Sequence, residues 1–187
     1  MNKAYISADA YLRDIWRLAA EIRGSGWRPD RLIGLWRGGA PAAIAVHEFL
    51  RESGWNVLHA PLKCASYTGI AQNDGEVEFS GGEAVFGSIR RGERVLVVDD
   101  VFDTGKTAEA MHAKLDGIGA EMRLACVYWK SETNQTELSP DFFVRDVGSD
   151  WIVFPHEIDG LSGDEVVEKD PFLADLLGRF RQGGGAS

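Results

Sequence analysis

The first periodic stretch of the chain predicts an amphipathic helix over residues 7–23. Ser7 or Asp9 is placed to cap its N-terminus. Apolar residues recur at intervals of three and four positions, as one buried helix face requires. They are Tyr11, Ile15, Leu18, Ala19 and Ile22.

Short apolar runs alternate with helical patterns along the rest of the chain. Strands are predicted at 31–36, 56–66, 94–98, 122–129, 141–147 and 151–155, and helices at 42–52, 106–118 and 170–180. This alternation predicts an α/β fold, with a mostly parallel sheet flanked by helices on both faces. Ligands of such sheets bind at the carboxyl ends of the strands.

The segment between the second and third of these strands has a different composition. Residues 67–93 are rich in glycine and polar side chains, with a short hairpin strand predicted near 77–79. Their length and composition predict a mobile loop. The C-terminal residues 181–187 are expected to form a flexible tail.

Length and charge restrict the class of protein. A chain of 187 residues favours a single domain. Its net charge of −9 argues against nucleic-acid binding, which depends on clustered Lys and Arg. No apolar run approaches the length that spans a bilayer, so no membrane association is expected.

The two cysteines, Cys64 and Cys126, lie in apolar segments without metal-ligand spacing. They are interpreted as reduced core thiols, which favours a cytoplasmic location. The histidines likewise show no zinc-ligand spacing.

The most informative stretch is VLVVDDVFDTGKT, residues 95–107. An apolar strand ends in the acid pair Asp99 and Asp100, and a Thr-Gly-Lys-Thr turn then leads into a helix. Helix N-termini attract anions, whereas carboxylates repel phosphate. The ligand should therefore offer an anionic group together with sugar hydroxyls, a metal ion or a proton.

This stretch has three other interpretations, of which the sequence excludes two. A Walker A loop requires a glycine five residues before Gly105, where Asp100 stands. A receiver domain carries its acid pair on the first strand, and too little chain follows Asp99 to complete such a sheet. In the third alternative the acids only cap strand ends and Thr104 is an ordinary helix N-cap.

Residues 95–107 closely resemble the phosphoribosyl pyrophosphate (PRPP) signature of the type I phosphoribosyltransferases. The resemblance extends to LIGLWRGGAPAAIAVHEFL (32–50), SYTG (66–69), CVYWK (126–130) and PDFFVRDVGSDWIVFPHE (140–157). Their arrangement resembles the 6-oxopurine branch, which acts on hypoxanthine, guanine or xanthine. The resemblance implies the type I phosphoribosyltransferase fold, as one domain over residues 1–180 with a small hood formed by the N- and C-terminal segments.

The resemblance implies a role for each residue of the PRPP signature. The 5′-phosphate would be held by backbone N–H groups of residues 103–107 and by the hydroxyls of Thr104 and Thr107, so that Gly105 and Lys106 also belong to the site. Asp99 and Asp100 would accept hydrogen bonds from the ribose hydroxyls. Asp100 would also bind Mg²⁺, directly or through water. Asp103 would manage the proton on purine N7.

Roles in binding pyrophosphate and the base are implied for residues outside the signature. Arg37 and Gly38 would receive pyrophosphate, after a cis peptide bond between Trp36 and Arg37. Lys130 would donate to purine O6, although a solvated lysine at a strand end is the usual explanation. Trp151 would stack on the base while Ile152 lies beside its edge, with a core aromatic as the alternative for Trp151.

Two further residue sets follow from the resemblance. Ser66 and Tyr67 match the mobile catalytic loop, whose closure excludes water. A buried tyrosine at a strand end is the alternative for Tyr67. Glu157 occupies the place of an acid near the metal and pyrophosphate.

The implied activity is transfer of the 5-phosphoribosyl group from PRPP to N9 of a 6-oxopurine, with release of pyrophosphate, in purine salvage. The expected cofactor is Mg²⁺, and the implied assembly is a homodimer or homotetramer. The alternatives are a phosphoribosyltransferase for another base and a regulatory protein that binds PRPP or a purine on the same fold. A regulator of transcription should carry a basic face or an added DNA-binding helix pair, and neither is visible in the sequence.

Overall fold

The computed structural model describes residues 3–66 and 77–181. Its strands are β1 (Lys3–Tyr5), β2 (Arg31–Trp36), β3 (Leu58–Ser66), β4 (Val77–Ser80), β5 (Arg94–Phe102), β6 (Glu121–Trp129), β7 (Phe142–Asp146) and β8 (Trp151–Val153). Its helices are α1 (Ala8–Gly24), α2 (Gly39–Glu52), α3 (Gly82–Gly87), α4 (Lys106–Ile118), α5 (Gly163–Lys169) and α6 (Pro171–Arg181). None of the helices in the described ranges is long and apolar enough to cross a membrane.

Six strands form the main sheet, in the order β4-β3-β2-β5-β6-β7. All neighbouring strands in it run parallel except the edge pair β3 and β4, which is antiparallel. The chain moves from β2 to β3 in one direction along the sheet and from β5 to β6 in the other. Because parallel crossovers are right-handed, α2 and α4 cover opposite faces. The predicted α/β class is confirmed.

The core on the α4 face explains why the central strands are almost wholly apolar. Met111 and Leu115 of α4 are fully buried against Val95 and Val97 of β5 and Leu124 of β6. Strands covered on both faces need apolar side chains in continuous runs, which is the pattern found in β5 and β6.

Two predicted boundaries were wrong. Helix α2 begins at Gly39, inside the stretch predicted as a turn, because glycines 38 and 39 give no pattern that marks a helix start. Strand β5 runs on to Phe102, four residues beyond its predicted end. The acid pair therefore lies inside the strand, where the ladder to β6 keeps the backbone extended although the side chains are polar.

The hairpin strand predicted near 77–79 is confirmed by β4, whereas the helix α3 within the segment predicted as a loop was missed. β4 pairs with β3 from Val77 to Ser80, and α3 follows it. Phe79 of β4 and Phe86 of α3 pack edge to face, with ring centroids 5.5 Å apart. This contact between side chains stabilises two elements too short to show a clear periodicity. Residues 67–76 lie outside the described residues.

The chain divides into two compact units, residues 9–150 and residues 3–8 with 151–181. The smaller unit contains β1 and β8, which pair in parallel, together with α5 and α6. β1 and α5 were missed in the sequence. α5 nevertheless has a complete capping box, in which Ser162 and Glu165 each accept a hydrogen bond from the other's backbone N–H. α6 extends to Arg181, and residues 182–187 lie outside the described residues.

A buried acid joins α1 to the main sheet. The side chain of Asp14 is 3% exposed and accepts hydrogen bonds from the Tyr128 hydroxyl at 2.9 Å, from Arg17 at 2.7 Å and from Arg145. Burial, followed by the contact with Asp14, raises the pKa of Tyr128 to about 12, so the phenol keeps the proton that it donates. Asp14 thus ties α1 to β6 and β7.

We expect Asp14→Ala to lower the free energy of unfolding by about 2–4 kcal/mol, because it removes the acceptor shared by a buried phenol and two guanidinium groups. Urea unfolding measures the change. Asp9→Ala on the same helix is the matched control, since the Asp9–Arg13 pair is exposed and should contribute less than about 0.5 kcal/mol. Equal losses in the two variants would contradict a structural role for Asp14.

Candidate active site

Three loops meet at the carboxyl edge of the main sheet. β2, β5 and β6 are neighbours and run parallel, so the segments after Trp36, Phe102 and Trp129 leave from one edge. The backbone N–H of Lys130 donates to the carbonyl of Phe102 at 2.8 Å, which joins two of these loops directly. This edge is where parallel α/β sheets bind their ligands.

The loop after β5 has an uncapped helix start. Gly105 occupies the N-cap of α4 with φ of 81°, in the left-handed region that favours glycine, and no side chain caps the helix. The alternative in which Thr104 is an ordinary N-cap is therefore wrong. N–H groups at such a start are available to an anion. A cavity of about 90 Å³ lies beside it, lined in part by Asp99, Asp103, Thr104 and Thr107.

The turn after β2 lies directly against the acid pair. The peptide bond between Trp36 and Arg37 is cis, as the resemblance implies, and the Arg37 side chain is exposed. A methyl group added at Gly38 would come within 2.6 Å of Cγ of Asp100, and one at Gly39 within 2.7 Å of the Val98 carbonyl. Only glycine at both positions lets the turn approach β5 this closely.

Asp99 and Asp100 lie in a poorly solvated place, where two neighbouring negative charges are unfavourable. Asp100 is 7% exposed, and its Oδ1 accepts from the Val101 N–H at 2.8 Å. Burial, and then the neighbouring charge of Asp100, raise the pKa of Asp99 well above its usual range. A bound cation or ribose hydroxyls would relieve this cost.

The acid pair fits Mg²⁺ in chemistry and in number. Carboxylates are the oxygen ligands that Mg²⁺ prefers, and it commonly uses one or two of them together with substrate phosphates and water. Within residues 3–66 and 77–181 no three His, Cys, Asp or Glu side chains form a metal-binding group. Water molecules and a phosphate-bearing ligand would complete the coordination of an ion held by the acid pair.

Asp103 and Lys130 are brought together by the folding of the chain. Nζ of Lys130 donates to Oδ2 of Asp103 at 2.9 Å. The lysine side chain is 11% exposed and the aspartate side chain 44%, so the pair has one buried and one accessible member. Thr133, which the sequence did not single out, donates its hydroxyl to the other oxygen, Oδ1.

Residues 134–136, which no sequence motif singled out, support the predicted phosphate loop, residues 104–107 after β5. Gln135 N–H donates to the Thr104 carbonyl at 3.0 Å. A side chain at Gly105 would collide with Thr136 and would lie 2.7 Å from Oδ1 of Asn134. Residues 133–136, Thr-Asn-Gln-Thr, have the composition of an ordinary polar turn. No feature of the sequence therefore indicates this contact.

Three further predicted site residues, Trp151 and Ile152 for the base and Glu157 for the metal, belong to the smaller unit. Trp151 is 49% exposed at the start of β8, so the alternative of a core aromatic is wrong. Ile152 pairs with Ala4 in the same unit. The Glu157 carboxylate accepts from the Phe154 N–H at 3.2 Å. Their roles toward the base and metal stay predictions.

Ser66 ends β3, and Tyr67 lies outside the described residues. Lys106 is exposed in the first turn of α4. Burial raises the pKa of the Cys64 thiol to about 11 and that of Cys126 as well, so both thiols are protonated and unreactive near neutral pH.

Sequence comparisons place these features in a known family. The phosphoribosyl transferase domain family matches residues 2–159. A HGPRTase-like protein 1 from Natrialba magadii is 47% identical over 53 residues, 28% of this chain and 26% of the relative. A hypoxanthine-guanine phosphoribosyltransferase from Lactococcus lactis is 23% identical over 122 residues, 65% of this chain and 63% of the relative. The chain thus matches less than two thirds of the length of either curated relative.

Solved structures share the fold over most of the chain. A purine phosphoribosyltransferase from Pyrococcus horikoshii has a TM-score of 0.66 at 28% identity, covering 87% of this chain and 99% of its own. A hypothetical protein from Neisseria gonorrhoeae, solved with bound ppGpp, has a TM-score of 0.74 at 24% identity, covering 94% and 97%. At 24% identity the second likeness shows the fold alone. Because the family match spans most of the chain and includes the acid pair, the phosphate loop and the glycine turn, this protein belongs to the phosphoribosyl transferase domain family.

Proposed function

We propose that the protein transfers the 5-phosphoribosyl group from PRPP to N9 of a 6-oxopurine and releases pyrophosphate. The observation that carries this proposal is the Lys130–Asp103 pair beside the phosphate loop. O6 and N7 are neighbours on one edge of a 6-oxopurine, and in the N7-protonated form they present an acceptor beside a donor. An ammonium donor next to a carboxylate acceptor is the complementary pair.

In the proposed reaction, N9 forms a bond to C1′ of PRPP as the bond from C1′ to the pyrophosphate oxygen breaks. The N7 proton passes to Oδ2 or Oδ1 of Asp103, which acts as the general base. Lys130 donates to O6 and stabilises the negative charge that grows on the base as it loses this proton. The free N–H groups at the start of α4 hold the 5′-phosphate.

Arg37 and the glycine turn would receive the departing pyrophosphate, because the turn lies against the acid pair. Asp99 and Asp100 would accept hydrogen bonds from the ribose hydroxyls. Asp100 would hold Mg²⁺ with PRPP, and the ion would neutralise phosphate charge. A net charge of −9 makes that neutralisation necessary.

A turnover assay with PRPP and a panel of bases, read as pyrophosphate release, tests the proposal. Release with hypoxanthine, guanine or xanthine supports it and identifies the preferred base. Release only with another base would support a phosphoribosyltransferase of different specificity. Tight PRPP or purine binding without release would instead favour a regulatory protein on this fold.

Removal of Mg²⁺ should weaken PRPP binding by about two orders of magnitude or more, since two unit charges 4 Å apart interact by about 4 kcal/mol near a protein surface. Calorimetry of PRPP binding with and without EDTA measures this change. Circular dichroism of the same samples should show an unchanged fold, because the core is closed by apolar packing. Equal PRPP affinity in EDTA would contradict the charge argument.

We also propose that the protein is a cytoplasmic enzyme of purine salvage and that it assembles as a homodimer or homotetramer. Residues 1–180 would fold as one domain. The resemblance of the sequence to the 6-oxopurine branch supports these statements. Light scattering of the purified protein measures the oligomeric state.

A further inference from the structure

We propose that Thr133 is a positioning residue for the base-binding pair, holding the Asp103 carboxylate so that its second oxygen stays with Lys130. This inference rests on the proposed function of Asp103 and Lys130. It assigns a role to a residue that no sequence motif singled out. The assignment comes from the hydrogen bond between Thr133 and Asp103, which are thirty positions apart in the sequence.

The two oxygens of Asp103 have different partners. Oδ2 accepts from Nζ of Lys130 at 2.9 Å, and Oδ1 accepts from the hydroxyl of Thr133. With both oxygens engaged, rotation of the carboxyl group about χ2 would break both hydrogen bonds at once. A carboxylate held at one oxygen only could turn away from the base.

Thr133 is itself held by the turn that follows β6. Its backbone N–H donates to the Lys130 carbonyl at 3.2 Å, which closes a tight turn over residues 130–133. The Thr133 hydroxyl also lies 3.2 Å from that carbonyl. A hydroxyl has one proton, and the charged carboxylate is the stronger acceptor. Thr133 therefore donates its hydroxyl proton to Asp103 and not to the carbonyl.

The turn therefore carries one member of the base-binding pair, Lys130, and the residue that orients the other member, Asp103. It begins with Lys130, the proposed donor to O6, and ends with Thr133, which orients the proposed acceptor for the N7 proton. Asp103 is the more exposed of the two charged partners, with a side chain 44% exposed against 11% for Lys130. An exposed general base needs a fixed orientation, because misplacement by about 1 Å costs about 10²-fold in rate.

Thr133→Val tests the hydroxyl, because valine keeps the branched shape and removes the donor. We expect turnover with the preferred 6-oxopurine to fall by about 10- to 100-fold, while the affinity for PRPP changes by less than about twofold. Thr133→Ser restores the hydroxyl and should recover most of the turnover. Ser131→Ala removes a hydroxyl from the same turn that faces Asp146, and should leave turnover unchanged.

A second measurement does not depend on activity. In lysine-selective ¹⁵N NMR, the ammonium signal of Lys130 should be protected from exchange in the wild type and in Thr133→Ser, and weakened in Thr133→Val, because the loosened carboxylate no longer holds it. Wild-type turnover in Thr133→Val, or an unchanged Lys130 signal, would overturn the positioning role. Equal loss in the Ser and Val variants would show that the hydroxyl does not account for the effect, and would also overturn it. A wild-type protein inactive on every base would refute the proposed function, and the NMR comparison would still decide the role of Thr133.

Discussion

Asp103→Asn should lower the turnover number by about 10²–10⁴-fold, the usual contribution of general acid–base catalysis, while PRPP still binds. An amide has nearly the same shape as the carboxylate and retains one acceptor oxygen, so Lys130 or Thr133 keeps a partner. It cannot accept the N7 proton, because it is not basic near neutral pH. The phosphate loop begins at the next residue and is held separately, through the hydrogen bond from Gln135 to Thr104.

Single-turnover kinetics with the preferred base, together with calorimetry of PRPP binding, measures the two effects separately. Asp116→Asn is the control, since Asp116 is exposed on α4 and the same change in charge there should leave both quantities unaltered. Near-normal turnover in Asp103→Asn would remove Asp103 from the mechanism. A large loss of PRPP affinity would instead place its carboxylate at the ribose or the metal.

The sequence predicted those parts of the site whose residues are close together in the chain. Residues 95–107 contain a strand, the acid pair, a glycine with positive φ and a helix start in continuous order, so the pattern fixes their arrangement. The glycine turn at 38–39 is equally local. Because β2, β5 and β6 were all predicted as strands of a mostly parallel sheet, a shared carboxyl edge could also be predicted.

The other parts of the site and of the fold depend on contacts between residues far apart in the sequence. The periodicity of the sequence does not reveal such contacts. The hydrogen bond from Thr133 to Asp103 spans thirty residues, and residues 131–138 have the composition of any polar turn. α3 contains six residues with glycine at both ends, too few for a helical period. α5 is different, since its capping pair Ser162 and Glu165 has the three-residue spacing of a known signal that was overlooked.

Adenine should be a very poor substrate, disfavoured on the order of 10⁴-fold in kcat/KM against the best 6-oxopurine, as in sites built around one hydrogen-bonding pattern. The reason is the ammonium group of Lys130, which has three donors and no acceptor. It can satisfy O6, whereas adenine presents an amino group at the same position. Two facing donors stay unpaired, at a cost of about 1–3 kcal/mol for each buried group and more for a charged one. Lys130 is 11% exposed and anchored to Asp103, so it cannot turn to solvent without breaking that ion pair.

Competitive assays with adenine, hypoxanthine, guanine and xanthine measure the selection directly. Lys130→Met, which keeps the length of the side chain, should weaken the use of all bases because Asp103 loses its partner. That loss affects each base equally and cancels in the ratio of kcat/KM for hypoxanthine to that for adenine. The ratio should therefore fall by at least about tenfold, the effect of one lost charged hydrogen bond of about 1.5–3 kcal/mol. If adenine matches the best base in the wild type, or the ratio is unchanged in Lys130→Met, then Lys130 does not recognise O6. The 6-oxopurine assignment would then fail, while the proposed PRPP site at the acid pair and the start of α4 would be unaffected because it does not depend on Lys130.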